Sequence, residues 1–144
     1  MTKDDIDTAK TFASLRFVGE RLDPDRVTAI LGTAPTTAYR KGEVYKESRG
    51  REARGRTGVW LLSSKGAVNS SDLKDHLEYL RQVLYPADSH ERVERLKALL
   101  CEMRAEADIG CFWHGHPPAP SIPTEFKNAF AELPATIEVD VVTA

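Results

Sequence analysis

Cysteine is scarce in this sequence: Cys101 and Cys111 are the only two. Two thiols cannot build the disulfide framework of a small secreted domain, and they leave a four-ligand zinc site without a second Cys pair. Long apolar runs are missing as well. No segment approaches the ~20 residues that a membrane-spanning helix needs. The opening residues Met1 to Asp7 are acidic and lack the apolar stretch of a secretory signal. These absences predict a cytoplasmic protein that does not engage the membrane. An excess of one charge is also missing: 20 Lys and Arg stand against 22 Asp and Glu, a net charge of −2. A chain that coats nucleic acid is normally more basic. No Walker A, GxGxxG, GxSxG or HExxH pattern occurs, so no cofactor, metal or nucleophile elbow is expected, and the reading is of a protein that is not an enzyme.

What remains is ordinary globular material. The 144 residues are 41% hydrophobic and 29% charged, enough for one domain with its own core. We expect a flexible N-terminus over 1–10 and a single domain over 11–142. From Thr11 to Val18 the chain alternates, with Ala13, Leu15 and Phe17 on one side and Phe12, Ser14, Arg16 and Val18 on the other, which predicts a strand. Asp23, Pro24 and Gly32 bracket a short helix carrying Val27, Ile30 and Leu31. Residues 33–56 read as loop, with room for a short strand near Ala38–Arg40. Thr57–Ser63 reads as a strand. A helix capped from Ser70–Asp72 carries Leu73, Leu77, Leu80 and Leu84 up to Pro86, and Asp88 with Glu91 suggests a capping box for the next. Strands near 107–114 and 137–142 flank a helix bearing Phe126, Ala129, Phe130 and Leu133.

This order predicts an α+β fold with a ferredoxin-like pair of β-α-β halves, 11–63 and 107–142, and a helical insertion at 72–104 between them. Leu15, Val27, Ile30, Leu31, Phe126, Phe130, Ile137 and Val139 should share one core.

Several stretches resemble one family. Ala13 to Pro24 with Ile30 to Thr36 is similar to the opening of the bacterial domain-of-unknown-function family 4279. So are Arg40-Lys41-Gly42-Glu43, Thr57 to Ser63 and Asp75 to Leu80, and the closing helix with Ile137 to Val141 is similar to its ending. The resemblance spans residues 11–142 and implies a compact cytoplasmic bacterial domain. It brings no catalytic set.

The densest charge lies between Arg40 and Arg56. Arg40, Lys41, Lys46, Arg49, Arg51, Arg54 and Arg56 face only Glu43, Glu47 and Glu52, a local +4 that leaves −6 elsewhere. With three glycines it reads as a mobile loop that either captures an anion or an acidic partner or is simply solvated. Cys111, His114 and His116 invite a metal, but on a strand Cys111 and His114 face opposite sides. Glu138 and Asp140 share a strand face and read as a solvated margin rather than an acid–base pair.

Aromatics carry the leading hypothesis. With Val59 and Leu61 toward the helices, Trp60 points to the other sheet face and joins Phe12, Arg16, Phe112 and His114 in an interaction surface. The reversed parity makes Trp60 core. The expected function is an interaction module that binds a protein partner or a second copy of itself as a homodimer, an antidote that masks a toxin being one version. The alternative is small-anion or nucleic-acid binding through Arg40–Arg56.

Overall fold

Asp23 accepts a hydrogen bond from the Asp25 N–H at 3.1 Å and so caps helix α1 (Pro24–Leu31), with Pro24 in its first turn. The helix stops at Gly32, which takes the left-handed φ of 64°. In a computed structural model of the chain, described for residues 11–47, 50–115 and 118–133 and for the backbone of 135–143, every other expected helix forms too. Asp72 caps α2 (Leu73–Leu84) by accepting from the Lys74 N–H. After a short turn at Pro86–Asp88 comes α3 (Glu91–Met103), and later α4 (Thr124–Phe130). The expected Asp88–Glu91 capping box does not form. His90 is the N-cap, while Asp88 is drawn back to the Arg81 guanidinium at 3.3 Å.

The strands are β1 (Phe12–Gly19), β2 (Thr37–Tyr39), β3 (Val44–Lys46), β4 (Glu52–Arg54), β5 (Gly58–Ser63), β6 (Glu106–Gly115) and β7 (Ala135–Thr143). Five of them form one sheet in the order β2-β5-β1-β6-β7, and β3 and β4 form a separate hairpin. Neighbours from β2 to β6 run antiparallel, and β7 runs parallel to β6. This is an α+β architecture, as expected, but its halves are not the expected ones. Because β5 is antiparallel to both β1 and β2, those two are parallel with β5 between them. In the same way β5 and β6 are parallel with β1 between them. The unit spanned by α1 therefore ends at the three-residue β2, not at β5. The α2–α3 pair is the connection from β5 to β6 rather than an insertion, and α4–β7 extends the edge. A three-residue strand has too little periodicity to announce itself in a sequence.

The helices cover one face of the sheet. Ala13, Leu15, Phe17, Trp60, Leu62, Ala107, Ile109 and Cys111 are buried there against Val27, Leu31, Leu77, Leu80, Leu96, Leu100, Phe126 and Phe130. Ile30 packs against this core but stays partly exposed. The side chains of Ile137 and Val139 lie outside the described residues.

Trp60 is the largest buried side chain and is 0% exposed. Its register partner is Phe17, with ring centroids 5.6 Å apart, and its Nε1–H donates to Thr28 Oγ1 of α1 at 3.0 Å. The parity that turns Trp60 toward an outer interaction face is thus corrected: burying Trp60 with Leu62 under the helices removes more apolar surface from water than burying Val59 with Leu61 would. Trp60→Ala is expected to cost about 3–5 kcal/mol in chemical denaturation. A change under about 1 kcal/mol would contradict this burial.

Burial also pushes the Cys111 thiol up from its ordinary 9.0 to about 11. The neutral thiol belongs to the folded state, so its contribution is whole below pH 9 and is lost as pH rises toward about 11. The stability difference between the wild type and Cys111→Ala, followed across that window, should shrink as pH rises, and a flat difference would refute it.

Candidate functional site

Alternation places a second set of β1 residues on the side away from the helices. Phe12 sits beside Phe112, Ser14 between Ser63 and Gly110, Arg16 between Leu61 and Asp108, and Val18 between Val59 and Glu106. None of the described helices covers this outer face, and Phe12, Val18, Val59, Leu61 and Phe112 remain partly exposed on it. Phe12 and Phe112 stack with centroids 4.6 Å apart and an interplanar angle of 17°. Gly110 makes room for that ring: a Cβ there would lie 3.2 Å from Phe112 Cε2. The Lys65 ammonium stands 5.4 Å from the Phe12 centroid. Arg16 reaches across to Asp108, Nη2 to Oδ2 at 2.8 Å, a half-exposed pair that settles orientation more than stability.

At the β2 margin the basic segment rises from this face. Where a loop was expected there is a paired hairpin, β3 and β4 being in register from Val44–Arg54 to Lys46–Glu52. Tyr39, beside Val59 on the outer face, stacks on Tyr45 of the hairpin at 4.1 Å and 2°. Burial raises the Tyr39 phenol above its ordinary value, as does its hydrogen bond with Tyr45, while the charge of Arg16 opposes both. Gly55 closes against the same ring, where a Cβ would stand 2.7 Å from Tyr39 Cδ2, so no larger residue fits. Tyr39 therefore seats the hairpin at one side of the open face.

The basic side chains divide into two groups. Arg40 is spent on structure: its Nη2 binds Asp23 Oδ1 at 2.7 Å and Asp25 Oδ2 at 2.9 Å, tying the hairpin base to the start of α1. Lys41 pairs with Glu20 at 3.2 Å. Arg54 donates to the Gly42 carbonyl at 2.8 Å and keeps most of its guanidinium outward. Lys46, Arg51, Arg54 and Arg56 are exposed and carry no ion pair among the described residues. Arg49 lies outside the described residues. Val44, 53% exposed, is the large hydrophobic residue that stands out on the hairpin surface.

Of the expected interaction face, Phe12, Arg16 and Phe112 come together as anticipated. His114, two positions beyond Phe112, is partly exposed, and its backbone N–H donates to Thr11 Oγ1. Trp60 does not belong there. Sequence reasoning missed Tyr39, Tyr45 and Leu61, although tyrosines on either side of a glycine turn in a basic stretch were a usable signal. Cys111 lies in the core, away from His114, and His116 lies outside the described residues. Among the described residues no group of three His, Cys, Asp or Glu side chains could hold a metal ion.

Two other features bring chemically capable groups together. Ser64 Oγ and His76 Nδ1 lie 2.7 Å apart, a nucleophile–base spacing. Both are sealed in the interior at 0% and 1% exposure. Ser70 O can only accept, so His76 Nε2–H donates to it at 2.7 Å, and in the neutral imidazole Nδ1 accepts from the Ser64 hydroxyl. Ser64 Oγ in turn accepts from the Ala13 N–H at 2.9 Å. Every polar atom is used, and the pair pins β1, β5 and α2 together. A cleft of about 280 Å³ between α2, α3 and α4 is lined by Arg81, Tyr85, Asp88, His90, Glu125 and Glu132 among others. Arg81 is held there by Glu78 and Asp88.

These features define an α+β domain with a helix-covered face and an open face overhung by a basic hairpin. The family model described as Domain of unknown function (DUF4279) matches residues 9–143, nearly the whole chain, and the chain belongs to that family. No curated protein and no solved structure matches it. Among the described residues no helix is long and apolar enough to cross a membrane.

Removing the Ser64 hydroxyl orphans the Ala13 N–H and His76 Nδ1. Ser64→Ala should lower stability by about 1–3 kcal/mol in thermal or urea unfolding. An unchanged unfolding midpoint would show that the pair is not structural.

Proposed function

We propose that the chain is a non-enzymatic interaction module of the cytoplasm, with the open sheet face and its basic hairpin as the surface that meets a protein partner or a second copy. The observation that carries this reading is the stacked Phe12–Phe112 pair, left partly exposed together with Val59 and Leu61 on a face that no described helix covers. An apolar surface with a charged border is what a contact site needs. The exposed arginines of the hairpin suit an acidic partner, and an antidote that masks a toxin is one version of this function. The saturation of Ser64 and His76 supports a reading without catalysis, and the free thiols of Cys101 and Cys111 suit a reducing compartment. For the fold, the strand order β2-β5-β1-β6 with two interlocked crossovers supports a ferredoxin-like core extended by α4 and β7.

The same hairpin favours a second reading. Lys46, Arg51, Arg54 and Arg56 on a two-stranded ribbon could hold a small anion or nucleic-acid phosphates. Binding to nucleic acid that falls steeply with salt would select that reading.

Phe112→Thr keeps a strand-forming residue and removes the ring. The variant should fold with a nearly unchanged melting point and lose the partner, or the self-association, that the wild type retains in capture and light-scattering measurements. A variant that keeps every contact of the wild type would refute the proposed surface.

A further inference from the structure

Charge on the open face is polarised along the strand order. The β2 margin carries the hairpin with Lys46, Arg51, Arg54 and Arg56. The centre is neutral, since Arg16 on β1 is paired with Asp108 on β6. Beyond it lies an acidic margin. Glu106 is exposed on β6, and the only charged residues of β7 are Glu138 and Asp140, in register beside Gly110 and Phe112. Position along the strands matters as much as position across them. Tyr39, which seats the hairpin, stands in the row Tyr39–Val59–Val18–Glu106. The basic wall and the acidic residue Glu106 are therefore at the same height on opposite sides of β1.

We propose that the occupant of this face is a second copy of the chain, packed face to face about a twofold axis that runs along β1, parallel to the strands. The inference rests on the reading of the open face as the contact surface and adds the partner and its orientation. A twofold axis in this direction exchanges the two margins and preserves height along the strands. The hairpin of each copy then comes opposite Glu106 of the other, so the complementary contact is made twice. A twofold axis lying across the strands would set hairpin against hairpin and acid against acid, with repulsion at both margins. Along the axis the apolar centres meet, with Phe12 near its own copy and the Lys65 of one chain near Phe112 of the other. Two sheets packed this way keep their strands closely aligned, the common geometry of stacked sheets. An isologous twofold contact also closes, so it ends at a dimer.

The test uses the full chain in sedimentation equilibrium or light scattering. The wild type should be dimeric, and its dissociation constant should rise with salt, because the margins are exposed charges. Arg51→Glu, Arg54→Glu and Arg56→Glu together should weaken the dimer about tenfold or more, and Glu106→Lys should weaken it as well. Mixing the two reversed variants should restore a heterodimer tighter than either homodimer. A wild-type dimer indifferent to salt, or reversed variants that do not rescue each other, would overturn the proposed axis. If Phe112→Thr still dissociated that dimer, the contact face itself would stand. A wild-type chain that stays monomeric at about 0.1 mM would overturn self-association. Capture of another protein, lost in Phe112→Thr, would then leave the contact face standing, and its absence would remove both readings.

Discussion

The burial of Trp60 under α1 is the constraint on which the rest of the molecule depends. An indole removed from water and hydrogen-bonded to Thr28 sets which side of β5 faces the helices. Side chains on a strand alternate, so that one choice fixes every other residue of β5. Val59 and Leu61 must then lie beside Val18 and Arg16 on the outer face. The register through β1 to β6 carries the consequence across the sheet, and Phe112 arrives beside Phe12.

The outer face acquires its form from a second anchor, the Tyr39–Tyr45 stack. Seven basic residues within seventeen positions repel one another and, read as sequence, suggest a mobile loop or a solvated connector. The structure removes part of that repulsion by assigning Arg40 to Asp23 and Asp25 and Lys41 to Glu20. Asp23 thus serves twice, as the cap of α1 and as a partner of Arg40. What remains basic is a ribbon held through Tyr39 and Tyr45 at one margin of the sheet. The interior is completed by the Ser64–His76 link, whose atoms are all engaged in holding strands and helix together.

Much of this was legible in the sequence. Asp23, Pro24 and Gly32 marked α1 because capping is a matter of a few neighbouring residues. The leucine stripe of α2 and the alternation of β1 declared their buried sides for the same reason. Phe12, Arg16 and Phe112 were assigned to the correct face because the strands that hold them alternate without ambiguity. Trp60 was not, because Thr57–Ser63 offers apolar residues to both faces and periodicity alone cannot choose between Trp60 with Leu62 and Val59 with Leu61. The division into halves is not legible either, because the short strand near Ala38 is held in place only by β5 beside it.

The sequence by itself therefore determined the helices, the ends of α1 and the start of α2, the long strands and the location of excess positive charge. All of these follow from residues within a turn or two of one another. Tertiary structure alone decided the strand order, the parity of β5, the seating of the hairpin on Tyr39 and the opposition of the hairpin and Glu106 across β1. Each of those depends on which surfaces meet across the core or across a strand pair, and the free energy that selects among them comes from burial and pairing between residues far apart in the chain.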